Sequence, residues 1–332
     1  MEDRRSRWLP QVWTGDDFAD FRPYVPAVDD TGSVVFQAAL TRGGSGVFLC
    51  REKTIEVLLP AQSGVDVVSH PDRNARGDSC VYVSRADGSG AIVGMHRGLK
   101  IAYVDTRDGF FSAIGPLGPV IDTAGNVGFR AVLADGSAAV CAWCAGEIRV
   151  LASTARDFSA FHGLPVIADE AGLLFRADRR DGTQGIYRAV DGDVRAVLDR
   201  AEGDLALFPT MNASGEIACG WMDPAGEAHL LRIAADGAVR RVDTGDLRFR
   251  SLRGCLLGEG DGLCFTGAPQ RGTLGVYRVR RGGVDCLLAE GDLFDGVRIA
   301  GFALNPVSVN AQGMLVARIL LEDGRQAIAV CP

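Results

Sequence analysis

One motif recurs seven times along this 332-residue chain, and no other feature limits its fold as tightly. Each copy is a turn of the form Asx-x-x-Gly, then a short apolar run, a second turn and another apolar run. Residues 119–144, PVIDTAGNVGFRAVLADGSAAVCAWC, show it whole. Pro119 leads into Asp122-Thr-Ala-Gly125, a strand-like run covers 127–133, and Asp135-Gly136 separates it from the next run. An Asp-Gly pair between two β-prone runs is the strongest short-range hairpin signal. Aligned on the first turn, the copies begin at Asp29, Asn74, Asp122, Asp169, Asn212, Glu259 and Asn310, a spacing of 43 to 51 residues. A period of roughly 40–50 residues holding several short strands is the signature of a propeller.

Strand-like runs follow the turns at 34–39, 79–84, 127–133, 173–177, 217–222, 263–266 and 315–320. Five of the next connections carry glycine: Gly43-Gly44, Asp87-Gly88, Asp135-Gly136, Asp181-Gly182 and Asp323-Gly324. Fourth runs close six of the units, and no stretch sustains a helical period. The seventh unit reaches Cys331-Pro332 after its third run. Residues 5–13, which precede Thr14-Gly15-Asp16, resemble the fourth-strand pattern at 284–292. They are expected to complete the last blade and hide both edges of the ring. The expectation is all-β: a seven-bladed β-propeller of four antiparallel strands per blade, one domain over 1–332, closed by its N-terminal strand.

Composition agrees and narrows the partners. Gly stands at 43 residues, nearly twice the usual ~7%, as many tight turns require. A net charge of −7 and a pI near 5.2 argue against nucleic acid or an anionic membrane, both of which call for a basic face. No apolar run approaches the ~18 residues of a membrane span. The N-terminal MEDRRSRWLPQVW is charged and has no apolar core of the kind a secretory signal needs. Nine cysteines scattered over separate strands then read as reduced thiols in the cytoplasm.

The pattern Pro-x-x-Asn/Asp-x-x-Gly-x-x-x-Phe, present at Pro26 to Phe36 and Pro119 to Phe129, resembles the tandem-repeat proteins named for an Asn-x-x-Gly-x-x-Ala-Phe motif. The resemblance covers essentially the whole chain and implies a β-propeller. It implies no activity, because the motif builds a turn and carries no catalytic residue.

Motifs with chemistry are few. Cys141-Ala-Trp-Cys144 has CxxC spacing, but residues three apart on a strand face opposite sides, so packing is the expected role. His70, His96, His162 and His229 show no local pair with zinc-ligand spacing. Acidic residues gather at Asp16, Asp17 and Asp20, at Asp105 and Asp108, and at Asp292 and Asp295. Such loops suit calcium, while Asp and Gly in turns have a structural reason of their own. Calcium is therefore the one cofactor the sequence leaves open, and otherwise none is expected.

The channel supplies the remaining candidates. Counting back five positions from each Asx gives Tyr24, Ser69, Leu117, Leu164, Leu207, Gly254 and Asn305; counting back seven gives Arg22, Val67, Gly115, His162, Leu205, Leu252 and Ala303. Equal parity places both rings on one face of the inner strands. Polar members gather in blades seven, one and two, with His162 across the ring, and the rest is aliphatic, as in a small-molecule pocket. The expected site has Tyr24, His162 and His70 as proton-transfer residues and Arg22, Ser69 and Asn305 as substrate-binding residues. His70 has the opposite parity to Ser69 and is also a candidate for contact with a neighbouring blade. The function expected is a metal-independent enzyme acting on a small organic molecule, by proton-transfer chemistry such as cyclisation, alkylation or elimination, in outline like propellers of bacterial secondary metabolism. The alternative is a non-catalytic binding propeller with an exposed aromatic rim at Phe110, Phe111, Phe249 and Phe294.

Overall fold

The computed structural model describes residues 8–96, 99–200, 202–260 and 262–332. Seven antiparallel sheets stand around one axis as a seven-bladed β-propeller. Blade three is representative. Its inner strand pairs with Val127–Leu133, which pairs with Ala138–Cys144, which pairs with the outer Glu147–Ser153. The connections are built as the residues dictate. Gly136 takes a φ of 85°, and Asp135 Oδ1 accepts the Ser137 N–H at 2.9 Å, closing the hairpin.

The N-terminal segment closes the ring. Leu9–Trp13 runs antiparallel to Gln326–Cys331 as the outermost strand of blade seven. Residues 5–7 of the expected strand lie outside the described residues. Val12 is buried, the Trp8 indole donates to Leu287 O at 3.0 Å, and Gln326 Nε2 donates to Asp20 Oδ1 at 2.8 Å, tying the last blade to the first.

The inner strands, however, are interrupted in several blades and slip register in others. In blade three the inner strand consists of Phe111–Ile114 and Val120–Ile121; in blade two, Val65–Val67 and Asp72–Arg73; in blade five, Asp204–Leu205 and Thr210–Met211. Even the continuous inner strand of blade four slips register between His162 and Val166. The break leaves carbonyls without sheet partners, and arginines from the preceding blade reach them. Arg130 Nη1 donates to Gly163 O at 2.8 Å, and Arg318 Nε donates to Tyr24 O at 3.0 Å.

The turns at the other end of the inner strands link the blades. In blades two, five and seven the Asx residue is Asn, and its Nδ2 donates to the backbone of the next blade: Asn74 to Asp122 O at 2.8 Å, Asn212 to Gly258 O at 3.3 Å, Asn310 to Asp29 O at 3.1 Å. The same Asn Oδ1 caps its own turn, as in the bond from Asp78 N to Asn74 at 3.0 Å. Blades four and six differ from the sequence alignment. Their turns begin at Ala168 and Gly258, one residue before Asp169 and Glu259, as the pairing of Ala168 with Gly172 and the bond from Gly258 N to Gly262 O show. Asp169 and Glu259 instead accept backbone N–H groups from the preceding blade, Ala124 at 3.2 Å and Ala213 at 2.9 Å.

Between blades the core is aromatic and aliphatic, with Phe36, Phe129, Phe175 and Phe265 at equivalent places in blades one, three, four and six, all fully buried. The CxxC pair divides as strand geometry demands: Cys141 packs toward blade two and Cys144 toward blade four. None of the nine cysteines is joined in a disulfide.

Two measurements test this architecture. Removing residues 1–14 exposes an unpaired edge and the sites of Trp8 and Val12, a loss of about 5 kcal/mol, so Tm should fall by roughly 10 °C; a truncated chain melting within a degree or two of the intact one refutes the closure. Thiol titration of denatured, unreduced protein should count nine, and seven or fewer would mean a disulfide.

Candidate functional site

The broken inner strands decide where the candidate residues go. Alternation of side chains holds only along uninterrupted extended chain, so the two rings do not share one face. Arg22 is about half exposed, and its guanidinium grips Asp20, with Nη2 to Oδ2 at 2.9 Å. Burial alone would raise the Asp20 carboxyl, but hydrogen bonds from Arg22 and Gln326 bring it down to about 2. Arg22 is thus committed to an exposed pair outside the channel. Tyr24 is half-buried, and burial, then the neighbouring Tyr82, push its phenol up. Of the five residues expected to share one cavity, Arg22 is bound to Asp20 and His162 to Asp178 instead of to Tyr24, Ser69 or Asn305.

Three of the candidates do meet. Ser69, His70 and Asn305 are buried at the centre of the ring. Asn305 Nδ2 lies 3.3 Å from His70 Nε2, a contact from blade seven to blade two across the channel. The Ser69 hydroxyl donates to His70 O at 2.9 Å and accepts the Tyr82 N–H at 2.9 Å. Burial depresses the His70 pKa to about 3, so the imidazole is neutral and serves as a hydrogen-bonded plug. Val120, Leu164 and Val307, from blades three, four and seven, meet in one buried cluster. Two cavities adjoin the inner strands. The one at the Asx end, about 200 Å³, is lined by Asp29, Asp72, Arg73, Asp122, Asp169 and Glu259 among others. The one at the opposite end, about 150 Å³, is mainly apolar, lined by Phe208, Arg253, Thr266, Phe302, Leu304 and Asn305.

His162 is placed elsewhere, and it has gained partners. Because the blade-four turn begins at Ala168, His162 lies six residues before the turn, not seven, and turns to the face of blade four that meets blade five. Its Nε2 is 2.7 Å from Asp178 Oδ2. Arg176, directly opposite His162 across the strands, is 7% exposed and donates to Gln184 Oε1 at 2.7 Å. Arg176 Nε and Asp178 Oδ1 are buried without hydrogen-bond partners among the described residues. Burial pushes the Arg176 pKa down, opposed by Asp178 and Asp204. Gly163 holds the geometry: its φ is +60°, and a Cβ there would stand 1.9 Å from Leu207 O of blade five. Only glycine fits. Alternation along strand 172–179 puts Arg176 and Asp178 on one face with His162, but nothing in the sequence marked the pair, since their partner is some 16 residues away.

The other expected features resolve into pairs. His96 contacts Asp78, and His229 contacts Asp223. Of the acids considered for calcium, Asp20 binds Arg22, Asp105 binds Arg85 and Arg107, Asp295 binds Arg325, and Asp292 accepts the Ala289 N–H. Phe111, Phe249 and Phe294 are buried, leaving Phe110 as the exposed member of the expected aromatic rim.

No protein-family model matches the sequence, and no curated protein does. Solved structures match the fold. An oligogalacturonate lyase from Vibrio parahaemolyticus superposes with a TM-score of 0.61 at 11% identity, over 98% of each chain. A chain of a mitotic checkpoint complex gives 0.55 at 13% identity, over 99% of this chain and 94% of that one. A puromycin-hydrolyzing peptidase of Mycobacterium tuberculosis gives 0.59 at 14% identity, over 95% of this chain and 52% of that one. At these identities the likeness is one of fold. No helix among the described residues is long and apolar enough to cross a membrane.

The plug makes a pH prediction. His70 is depressed in the folded state from 6.5 to about 3, so its contribution to stability is complete above 6.5 and is lost as pH falls below it. Asp72 is raised by burial from 3.8 to about 6, so its penalty is relieved as pH falls below 6. Between these limits the unfolded chain holds one extra proton at His70 and the folded chain one at Asp72, and the two cancel. Asp72→Asn removes the second, so between about pH 6 and 4 the variant should lose about 1.4 kcal/mol per unit relative to the parent. Urea denaturation across that range measures it; parallel profiles would refute the assignment.

Proposed function

We propose that the protein is an enzyme acting on a small organic molecule by proton transfer, with His162 as the base at the seam of blades four and five. The contact between His162 and Asp178 carries this reading. Asp178 accepts the Nε2–H, fixes the tautomer and ring orientation, and leaves Nδ1 to take a proton. The part-exposed His162 gives a ligand access. The Nε–H of Arg176 and Oδ1 of Asp178 are buried beside it without partners among the described residues; a ligand reaches them only if the seam opens, and they would then suit a carbonyl or carboxylate together with a hydroxyl. Tyr24 and Arg22 have no part in this site. Two proteins of similar fold bear the names of a lyase and a hydrolase, and that likeness extends to architecture alone.

A non-catalytic binding propeller is the second reading. It rests on the outer strands of blades one to three, which expose Ile55, Val57, Leu99, Ile101, Ile148 and Val150.

A panel of small carboxylic acids and phenols, screened by thermal shift and then by deuterium exchange from solvent into carbon, separates the readings. His162→Gln should lower exchange at least about 100-fold. Its Tm should stay close to that of the parent, because Gln keeps a donor for Asp178 and a partly exposed pair contributes about 1 kcal/mol or less. If no compound exchanges a proton, or the variant exchanges it as fast as the parent, the enzyme reading fails.

A further inference from the structure

A second cluster of ligating side chains lies on blade five, apart from the His162 seam. Strands Ile217–Met222 and Ala228–Ile233 are joined by a hairpin, with Trp221 opposite His229 and Met222 opposite Ala228. Asp223 opens the hairpin, and its Oδ1 accepts the N–H groups of Ala225 at 3.0 Å and Glu227 at 2.8 Å. That bracing turns Oδ2 toward His229 Nε2, 2.7 Å away. The imidazole is held against the Trp221 ring, centroids 5.4 Å apart. The Glu227 carboxylate converges on the same point, and one donor atom from each of the three residues lies within 4.8 Å of the others. Beside them is a cavity of about 360 Å³, lined by Glu227, His229, Asp243, Arg241, Arg248 and Phe249 among others.

We propose that Asp223, Glu227 and His229 form a site for a divalent transition-metal ion, of which Zn²⁺ is the best match. Two carboxylates balance the charge of the ion, and an imidazole nitrogen selects a borderline metal over the all-oxygen shells of calcium and magnesium. Metal bonds of about 2.0–2.2 Å set donor atoms roughly 3.3 Å apart in a tetrahedron. The existing 2.7 Å contact has therefore to open by about 0.6 Å, and the exposed Glu227 carboxylate to swing inward, when the ion replaces the shared proton. Three protein ligands and an adjoining cavity leave the fourth position to water. The sequence conceals this set because Asp223-x₃-Glu227-x-His229 is no helical metal spacing. A tight hairpin brings both of its arms to one side.

The test uses the full chain, stripped with chelator and titrated with ZnCl₂ and CoCl₂ at neutral pH, following heat and the visible Co²⁺ spectrum. One saturable site is expected, with Ca²⁺ at least 100-fold weaker and no sulfur-to-cobalt charge-transfer band. Glu227→Gln alters an exposed side chain and should leave the metal-free Tm unchanged while weakening Zn²⁺ at least tenfold; His229→Gln should abolish binding. The proposal is overturned if no saturable binding occurs, if both variants bind as tightly as the parent, or if a sulfur band shows that the cysteines hold the ion.

Discussion

An asparagine side chain that reaches from one blade's turn to the backbone of the next is the contact on which the ring depends. Asn74, Asn212 and Asn310 each do two things at once: Oδ1 closes the turn within the blade, and Nδ2 binds a carbonyl one blade on. Aspartate cannot donate, so blade one uses the other direction, and Asp29 Oδ2 accepts Arg73 Nε of blade two at 2.8 Å. Where the turn begins on Ala168 or Gly258, the acid one residue later makes the stitch by accepting from the preceding blade. Buried polar groups must be paired, and these turns pair them across the seams, which sets the angle at which blade follows blade.

Once that end of the ring is fixed, the inner strands do not keep a regular register to the other end: they break in blades two, three and five and slip in blades four and six. Their midpoints crowd the axis, where His70, Asn305 and Leu164 already fill the space. The chain gives way at a break, and the exposed carbonyls are claimed by Arg130 and Arg318. These arginines keep their charge in part-buried positions because the guanidinium spreads it over several donors. They resemble ligand-binding residues in composition, yet their work is to hold neighbouring blades together.

The seam between blades four and five departs from this rule. Its arginine, Arg176, binds Gln184 instead of a neighbouring carbonyl, and Gln184 bridges onward to Leu205 N and Gly203 O. The guanidinium thereby retains an unspent donor next to His162 and Asp178. An unpaired buried polar atom is costly, and this one stands beside a histidine–carboxylate pair, which is why the proposed site is placed there. Local conflict of this kind marks functional places more often than structural ones.

Much of the architecture was written in the order of residues. Asx, Gly and alternating apolar runs act within a few residues of one another, so the number of blades, the hairpins and the closing strand Leu9–Trp13 could be read without coordinates. Histidines 70 and 162 were also legible as unusual, since each interrupts an apolar repeat. Their roles were not. Parity counting assumes a continuous strand, and the break near the axis, together with the one-residue slip at Ala168 and Gly258, turned His162 toward Asp178 and Arg22 toward Asp20. Turns and strands follow from short-range sterics and hydrogen bonding. Which side chains meet at the axis or across a seam follows from the closure of all seven blades at once, a condition that only the tertiary structure imposes.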